Sequence, residues 1–101
     1  MAYRVEISPS ALADAEDAFL WIQEESPQKA EEWYNGLVDT IISLENFPKR
    51  CPLAAESQDI GREIRQLPYK GHRILFGVTD DLVQVFRIRH TARDRLSSDD
   101  L

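Results

Sequence analysis

The chain has 101 residues and a formal net charge of −6, with 43% hydrophobic and 30% charged residues. This length and composition predict one folded domain with a single core, and they favour a folded chain over a disordered one. The lone cysteine, Cys51, excludes an internal disulfide, and the sequence has no run of about 18 apolar residues that would span a membrane. We therefore expect a cytoplasmic protein that has no membrane segment, metal centre or cofactor.

Charge is distributed unevenly along the chain. Residues 1–60 carry four basic and twelve acidic side chains, which gives −8, whereas residues 61–95 carry eight basic and four acidic ones, which gives +4. If this division survives folding, one face of the protein attracts an anionic or acidic partner. The alternative is that the arginines are paired with carboxylates of neighbouring helices or are simply solvated.

Two serine-proline pairs mark the starts of two helices. Residues 3–7 show an alternating apolar pattern that predicts a half-buried strand, and Ser8 and Pro9 follow it with a helix-start signal. Ser26 and Pro27 repeat this signal. Apolar residues at helical spacing follow each pair, namely Leu12, Ala15, Phe19 and Ile22, then Ala30, Tyr34, Leu37, Ile41 and Leu44. Because the link between the helices is so short, we expect an antiparallel helical hairpin.

The second half of the chain predicts a small sheet. Pro48 ends the second helix, and residues 49–60 show no clear period, so we interpret them as a loop that crosses to the sheet. Three short strands follow within residues 61–95. The element order β-α-α-β-β-β predicts an α+β fold in which the helical hairpin packs on one face of a small, mainly antiparallel sheet. Residues 1–95 would form the single domain, and residues 96–101 would form a flexible tail.

The central strand of this sheet carries an arginine of special interest. Ile74, Phe76 and Val78 alternate along the strand and predict one buried face. Arg73 is in the opposite phase, so we expect its guanidinium to face out from the sheet. A rigid sheet that presents several cations is a suitable place for a binding or catalytic surface.

Five segments, taken in order, resemble the RelE/ParE superfamily of toxins from bacterial type II toxin–antitoxin modules. They are YRVEISPSALADAEDAFLWI, SP-x-x-A-x-x-W, SLENFPKRCPLA, EIRQLPYKGHRILFGV and VFRIRHTARDRL, and together they extend over roughly residues 3–95. The resemblance implies the β-α-α-β-β-β fold and a toxin activity. Members of this superfamily either cleave messenger RNA on the ribosome or poison DNA gyrase.

Cleavage of RNA by its own 2′-hydroxyl requires a base, an acid and cations that stabilise the phosphate, but it requires no metal. Arg73 resembles the arginine that RelE-type nucleases carry on this strand, and His90 resembles the C-terminal histidine of the YoeB-like branch. Arg65 is the basic residue on the preceding strand. Further arginines that would contact an anion or the target are Arg87, Arg89 and Arg93. The lysine pair and the terminal tyrosine of RelE-like nucleases are missing from this sequence.

The resemblance to ParE-like toxins implies no catalytic residues, and we predict inhibition of DNA gyrase as the activity. An endoribonuclease, and a non-toxic relic that only binds an antitoxin, are the alternatives. All three activities imply a cognate antitoxin, with Trp21 and Trp33 as candidate contacts because they lie beside the main apolar stripes. Core packing is the other explanation for these two tryptophans. Operator DNA would be bound only through the antitoxin.

Overall fold

The computed structural model describes residues 2–91 and 96–101. Within them, the helices and strands are β1 (Arg4–Ile7), α1 (Pro9–Glu25), α2 (Pro27–Ile42), α3 (Glu56–Ile60), β2 (Arg65–Tyr69), β3 (His72–Thr79) and β4 (Leu82–His90). The sheet order is β1-β4-β3-β2, with β1 parallel to β4 and the other pairs antiparallel. The predicted α+β architecture with a mainly antiparallel sheet is confirmed. None of these helices is both long enough and apolar enough to cross a membrane.

Serine caps and proline starts define both long helices. The Ser8 hydroxyl caps the first turn of α1 and donates a hydrogen bond to the Phe86 carbonyl at 2.8 Å, which fixes α1 to β4. The Ser26 hydroxyl accepts a hydrogen bond from the Lys29 N–H at 3.2 Å, and the Ser26 N–H donates to the Ile22 carbonyl at 3.0 Å. One residue therefore ends α1 and starts α2, and so short a link folds the two helices into the predicted hairpin.

The hairpin buries its apolar side on one face of the sheet. The main core consists of Ala11, Ala15, Trp33, Leu37, Ile41 and Leu44 from the helical segments, Cys51 from the next connection, and Ile74, Phe76, Val83, Val85 and Ile88 from the strands. Tyr69 fixes α2 to the sheet, because its hydroxyl donates to the Trp33 carbonyl at 2.8 Å. Leu12, expected on the buried side of α1, is exposed, and its neighbour Ala11 is buried instead.

A β-bulge decides which side chains of β4 reach this core. The register between β3 and β4 shifts beside Leu75 and Phe76, where Phe86 is an extra residue in β4. The extra residue changes the alternation along the strand. Ile88 rather than Arg87 therefore continues the buried series.

The second face of the sheet is also covered, contrary to expectation. Residues 49–60, predicted to be a loop, end in α3, and Leu53 within them forms an isolated bridge with Arg65. A smaller apolar cluster lies on this side and consists of Ala54, Ile64, Leu75 and Leu96. Leu75 is in the phase opposite to the main core, yet it is fully buried because this cluster surrounds it. The loop prediction is thus corrected, since these residues form a second layer over the sheet.

The C-terminal segment packs against the domain, which corrects the prediction of a flexible tail. Leu96 is buried in the smaller apolar cluster, and its N–H donates to Glu56 Oε2 at 3.1 Å. Ser98–Asp100 form a short 3-10 turn, and Asp100 pairs with Arg89. Polar composition alone indicated a free end, whereas this segment contains one buried leucine and one paired carboxylate.

Candidate functional site

Arg73 is turned toward a carboxylate, which corrects the prediction that it faces out from the sheet. Its Nη1 donates to Glu56 Oε1 at 2.9 Å and to Gln66 Oε1 at 3.1 Å, and its Nη2 donates to Glu56 Oε2. Glu56 is only 2% exposed. The hydrogen bonds from Arg73, together with one from the Leu96 N–H, lower the pKa of Glu56 to about 2 despite its burial. The error arose because α3 lies over this face and brings a carboxylate to the arginine.

Arg87 also forms a structural ion pair. Its Nε and Nη2 each lie 2.8 Å from a carboxylate oxygen of Asp14, which also accepts the Ile88 N–H at 3.0 Å. The pairing of β1 with β4 ends at Ile7 and Val85, and these contacts join α1 to the part of β4 that follows. Hydrogen bonding to Asp14 raises the pKa of Arg87, so its charge is permanent. The prediction that Arg87 is an open anion contact is therefore corrected.

The remaining predicted cations are neutralised in the same way. Arg89 Nη2 lies 2.9 Å from Asp100 Oδ1, and Arg65 Nη2 lies 2.9 Å from Glu63 Oε1. Arg65 also donates to a backbone carbonyl of the preceding segment at 2.7 Å. The predicted surface of unpaired guanidinium groups is thus not formed by the residues that the structure describes. Arg93, the last of the predicted contacts, lies outside them.

Three of the predicted site residues do meet, in a cleft between α1 and the ends of β3 and β4. The cleft has a volume of about 460 Å³. Its lining consists of Asp14, Asp17, Ala18 and Trp21 from α1, His72 from β3, and Ile88, Arg89 and His90 from β4. Trp21, Arg89 and His90 are thus brought together in what we call the histidine cleft. Arg65 and Arg73 are not part of its lining, so the predicted catalytic set is not assembled.

Two imidazole rings meet edge to face in the histidine cleft. His72 and His90 are paired across β3 and β4, and their ring centroids are 5.5 Å apart. The Trp33 ring lies 5.2 Å from the His72 ring, but Trp33 is only 6% exposed. Its predicted role as a partner contact is therefore corrected to core packing. Trp21 is 69% exposed and remains open to a partner.

The histidine cleft combines groups that bind protein side chains or phosphates. Imidazole rings both donate and accept hydrogen bonds, whereas the Arg89 guanidinium only donates and stays charged. Asp17 adds a carboxylate from α1, and the Trp21 indole adds an apolar surface. In the part of the chain that the structure describes, no three His, Cys, Asp or Glu side chains are placed to hold a metal ion.

A comparison with protein families identifies the chain. The sequence model of the ParE toxin of the type II toxin–antitoxin system parDE matches residues 5–95. This chain belongs to the ParE toxin family. The resemblance to RelE/ParE toxins that the sequence indicated is thereby confirmed. A search of curated proteins gave no match to this ParE-family sequence.

Two solved structures share the fold of this ParE-family toxin. The chromosomal ParDE toxin–antitoxin system from P. aeruginosa contains a chain with 18% identity and a TM-score of 0.69, and the match covers 88% of this chain and 96% of that one. The toxin–antitoxin complex RelBE2 from Mycobacterium tuberculosis contains one with 19% identity and a TM-score of 0.61, covering 89% and 99%. At these identities the likeness shows the fold alone, and it confirms the RelE/ParE-like architecture.

Asp14 and His72 line the ParE-family cleft but were not among the predicted site residues. Asp14 follows the buried Ala11 by three residues and precedes Ala18 by four, so it borders the side of α1 that faces the sheet. His72 is in phase with Ile74, and the alternation of β3, extended by one step, places both on the same side of the sheet. Both signals are local in the sequence.

Proposed function

We propose that this ParE-family toxin arrests growth by inhibiting DNA gyrase and that a cognate antitoxin neutralises it. The observation that supports this choice of target is the buried pair of Arg73 and Glu56. RNA cleavage of the RelE type would need the Arg73 guanidinium against a phosphate, but both of its Nη atoms donate to Glu56. Inhibition of gyrase needs only a surface that binds a protein.

The histidine cleft is the surface that we assign to recognition. An exposed tryptophan bordered by polar side chains is typical of the residues that dominate affinity between proteins. Trp21 has this setting, because Arg89 and His90 lie in the same lining. A partner that packs an apolar side chain on the indole and directs a carboxylate toward Arg89, in place of Asp100, would make both kinds of contact.

The same cleft accounts for neutralisation by an antitoxin. The two solved structures named above come from toxin–antitoxin systems, ParDE and RelBE2. Since Trp21 shares the cleft with Arg89 and His90, an antitoxin segment that covers the indole also covers the two residues that we assign to gyrase. The antitoxin would then neutralise the toxin by covering the surface that binds gyrase. The net charge of −6 disfavours direct contact with operator DNA, so we assign operator binding to the antitoxin.

A metal-independent endoribonuclease is the second candidate, and one observation favours it. The imidazoles of His72 and His90 lie 5.5 Å apart in a lining that also contains Arg89. Cleavage of RNA by its own 2′-hydroxyl requires an acid, a base and a cation. Arg73 is bound to Glu56 and Arg89 to Asp100, so the pairing of both cations argues against this candidate and we rank it second. A non-toxic relic that only binds an antitoxin is the third.

Two assays with the purified chain separate these candidates. Supercoiling of relaxed plasmid by gyrase should stop in the presence of the toxin, and gyrase-dependent DNA breaks should accumulate. Ribosomes programmed with messenger RNA should leave the transcript intact. Cleaved transcripts with normal supercoiling would support the endoribonuclease instead. No effect in either assay, with normal growth after induction, would leave antitoxin binding as the remaining function.

A further inference from the structure

A second cavity lies at the opposite end of β3 and β4, where the two strands reverse direction. It has a volume of about 690 Å³. Its lining includes one aromatic and four charged side chains, namely Phe47, Lys49, Arg50, Asp80 and Asp81. We call it the hairpin cavity, and none of the roles proposed above uses it.

Phe47 projects beside the hairpin cavity in an unfavourable conformation. It is 80% exposed, and its backbone φ of 48° lies in the left-handed region, which costs a phenylalanine about 1 kcal/mol or more. Arg50 maintains this conformation, since its Nη1 donates to the Asn46 carbonyl at 2.6 Å and to the Phe47 carbonyl at 3.1 Å. A strained backbone that holds an aromatic ring in water indicates a ring kept ready for contact.

The charges around the hairpin cavity differ from those on the sheet. Lys49 and Arg50 belong to a short 3-10 turn after α2, whereas Asp80 and Asp81 form the turn between β3 and β4. Among the residues that the structure describes, no ion pair includes any of these four side chains. Cations and anions thus border one apolar cavity without neutralising each other.

We infer that the hairpin cavity is the interface for a second copy of this chain. The surface is self-complementary, because it presents a projecting ring next to a cavity and cations next to anions. Across a two-fold axis, Phe47 of each copy enters the cavity of the other, and the basic turn at Lys49 meets the acidic turn at Asp81. This inference is independent of the gyrase proposal, which concerns the histidine cleft at the other end of the strands.

The oligomeric state of the purified chain tests the inference. Sedimentation equilibrium between about 1 and about 200 µM, the range in which weak protein contacts form, should show monomers in equilibrium with dimers. Phe47→Asn should weaken the dimer at least about tenfold by removing the ring. Asparagine tolerates the left-handed backbone, so the melting temperature of this variant should not fall.

Leu20→Gln is the matched control, because Leu20 is an exposed apolar residue on α1 that does not line the hairpin cavity. It should leave the dimer intact. A wild-type chain that stays monomeric throughout this range would overturn the inference. A Phe47→Asn chain that dimerises as well as the wild type would also overturn it.

A charge exchange tests the proposed orientation of the two copies. Lys49→Glu alone should weaken the dimer, because it places two acidic turns against each other. Adding Asp81→Lys should restore the dimer, because the basic and acidic side chains have then only exchanged positions. Asp81 is chosen because the φ of 52° at Asp80 would strain a lysine there. A double variant that does not regain dimerisation would overturn the inference. If the chain is always monomeric and Phe47→Asn abolishes the inhibition of gyrase, the surface binds gyrase instead, and this result would also overturn the inference.

Discussion

Glu56 and Arg73 join α3 to β3 through hydrogen bonds between a nearly fully buried carboxylate and both Nη atoms of the guanidinium. The Leu96 N–H donates to the same carboxylate, so the pair connects three segments of the chain. An ion pair at this depth stabilises the fold only while both partners remain, because removal of one leaves a buried charge without compensation. The arginine that attracted a catalytic interpretation therefore has a structural role.

Protonation of Glu56 should destabilise the protein in acid. The pKa of Glu56 in the folded state is about 2, below its ordinary value of 4.5. The stabilising contribution is therefore fully present above the unfolded pKa and is lost as the pH falls from about 4.5 toward 2. Urea denaturation between pH 7 and pH 2.5 should show a loss of about 2–3 kcal/mol in unfolding free energy from this group.

Glu56→Gln isolates this contribution from that of the other carboxylates. The variant should be less stable at pH 7 and should lose that part of the acid dependence. Glu63→Gln is the matched control, because Glu63 also pairs with an arginine, Arg65, but is exposed. The control should keep the wild-type acid dependence. An acid dependence in Glu56→Gln equal to that of the wild type would contradict the assignment.

Arg73→Ala should impair folding. Its removal leaves the Glu56 carboxylate buried without its main partner, which costs about 3–5 kcal/mol of unfolding free energy. Combining Arg73→Met with Glu56→Met removes both charges and should recover much of that loss. Thermal denaturation measures the stability, and growth arrest at equal soluble expression measures the toxicity. An Arg73→Ala chain as stable as the wild type but no longer toxic would show that Arg73 serves the activity directly.

The helical hairpin could be predicted because its signals are local. Ser8 and Ser26 cap helices that begin at the next residue, and the apolar spacing that follows each of them lies within a few turns. The layer on the second face could not be predicted in the same way. Helix α3 has five residues, too few to show a period, and Glu56 within it pairs with a residue 17 positions away.

The pairing of the arginines depends on residues that are distant in sequence. Arg87 and Asp14 are 73 positions apart, and charge counts along the chain cannot show that α1 lies against this part of β4. The histidine cleft was partly predictable. Trp21, Arg89 and His90 were each singled out by residue type and position, but only the packing of α1 against β4 showed that they share one surface.

Gly36 and Tyr69 make a close contact whose energetic coupling is measurable. The Tyr69 hydroxyl donates to the Trp33 carbonyl at 2.8 Å and occupies the space where a Cβ at position 36 would lie. Tyr69→Phe should cost about 1 kcal/mol for the lost hydrogen bond. Gly36→Ala should cost about 1–3 kcal/mol through overlap with the hydroxyl, although alanine favours the helix.

The double variant Gly36→Ala with Tyr69→Phe should cost less than the two single variants together, because the missing hydroxyl makes room for the added methyl group. Urea denaturation of the wild type and the three variants gives the coupling energy. Strictly additive costs would mean that the two residues do not share this contact in solution.

Trp21 and Leu20 are adjacent exposed residues on α1 and form a matched pair for testing the histidine cleft. Trp21 is 69% exposed and lines the cleft, whereas Leu20 is 57% exposed and does not. Trp21→Ala should weaken antitoxin binding by about thirtyfold, the loss of about 2 kcal/mol that is typical of a central interface tryptophan. Isothermal titration calorimetry with the antitoxin measures this change.

The same variant should reduce the inhibition of gyrase, because the antitoxin and the target are proposed to share the cleft. Its melting temperature should stay close to that of the wild type, since the indole is mostly exposed. Trp33→Ala should instead lower the melting temperature, because it creates a cavity in the main core. Equal antitoxin affinity for Trp21→Ala and Leu20→Ala would show that the partner binds elsewhere. Intact gyrase inhibition with lost antitoxin binding would separate the two surfaces and limit the cleft to neutralisation.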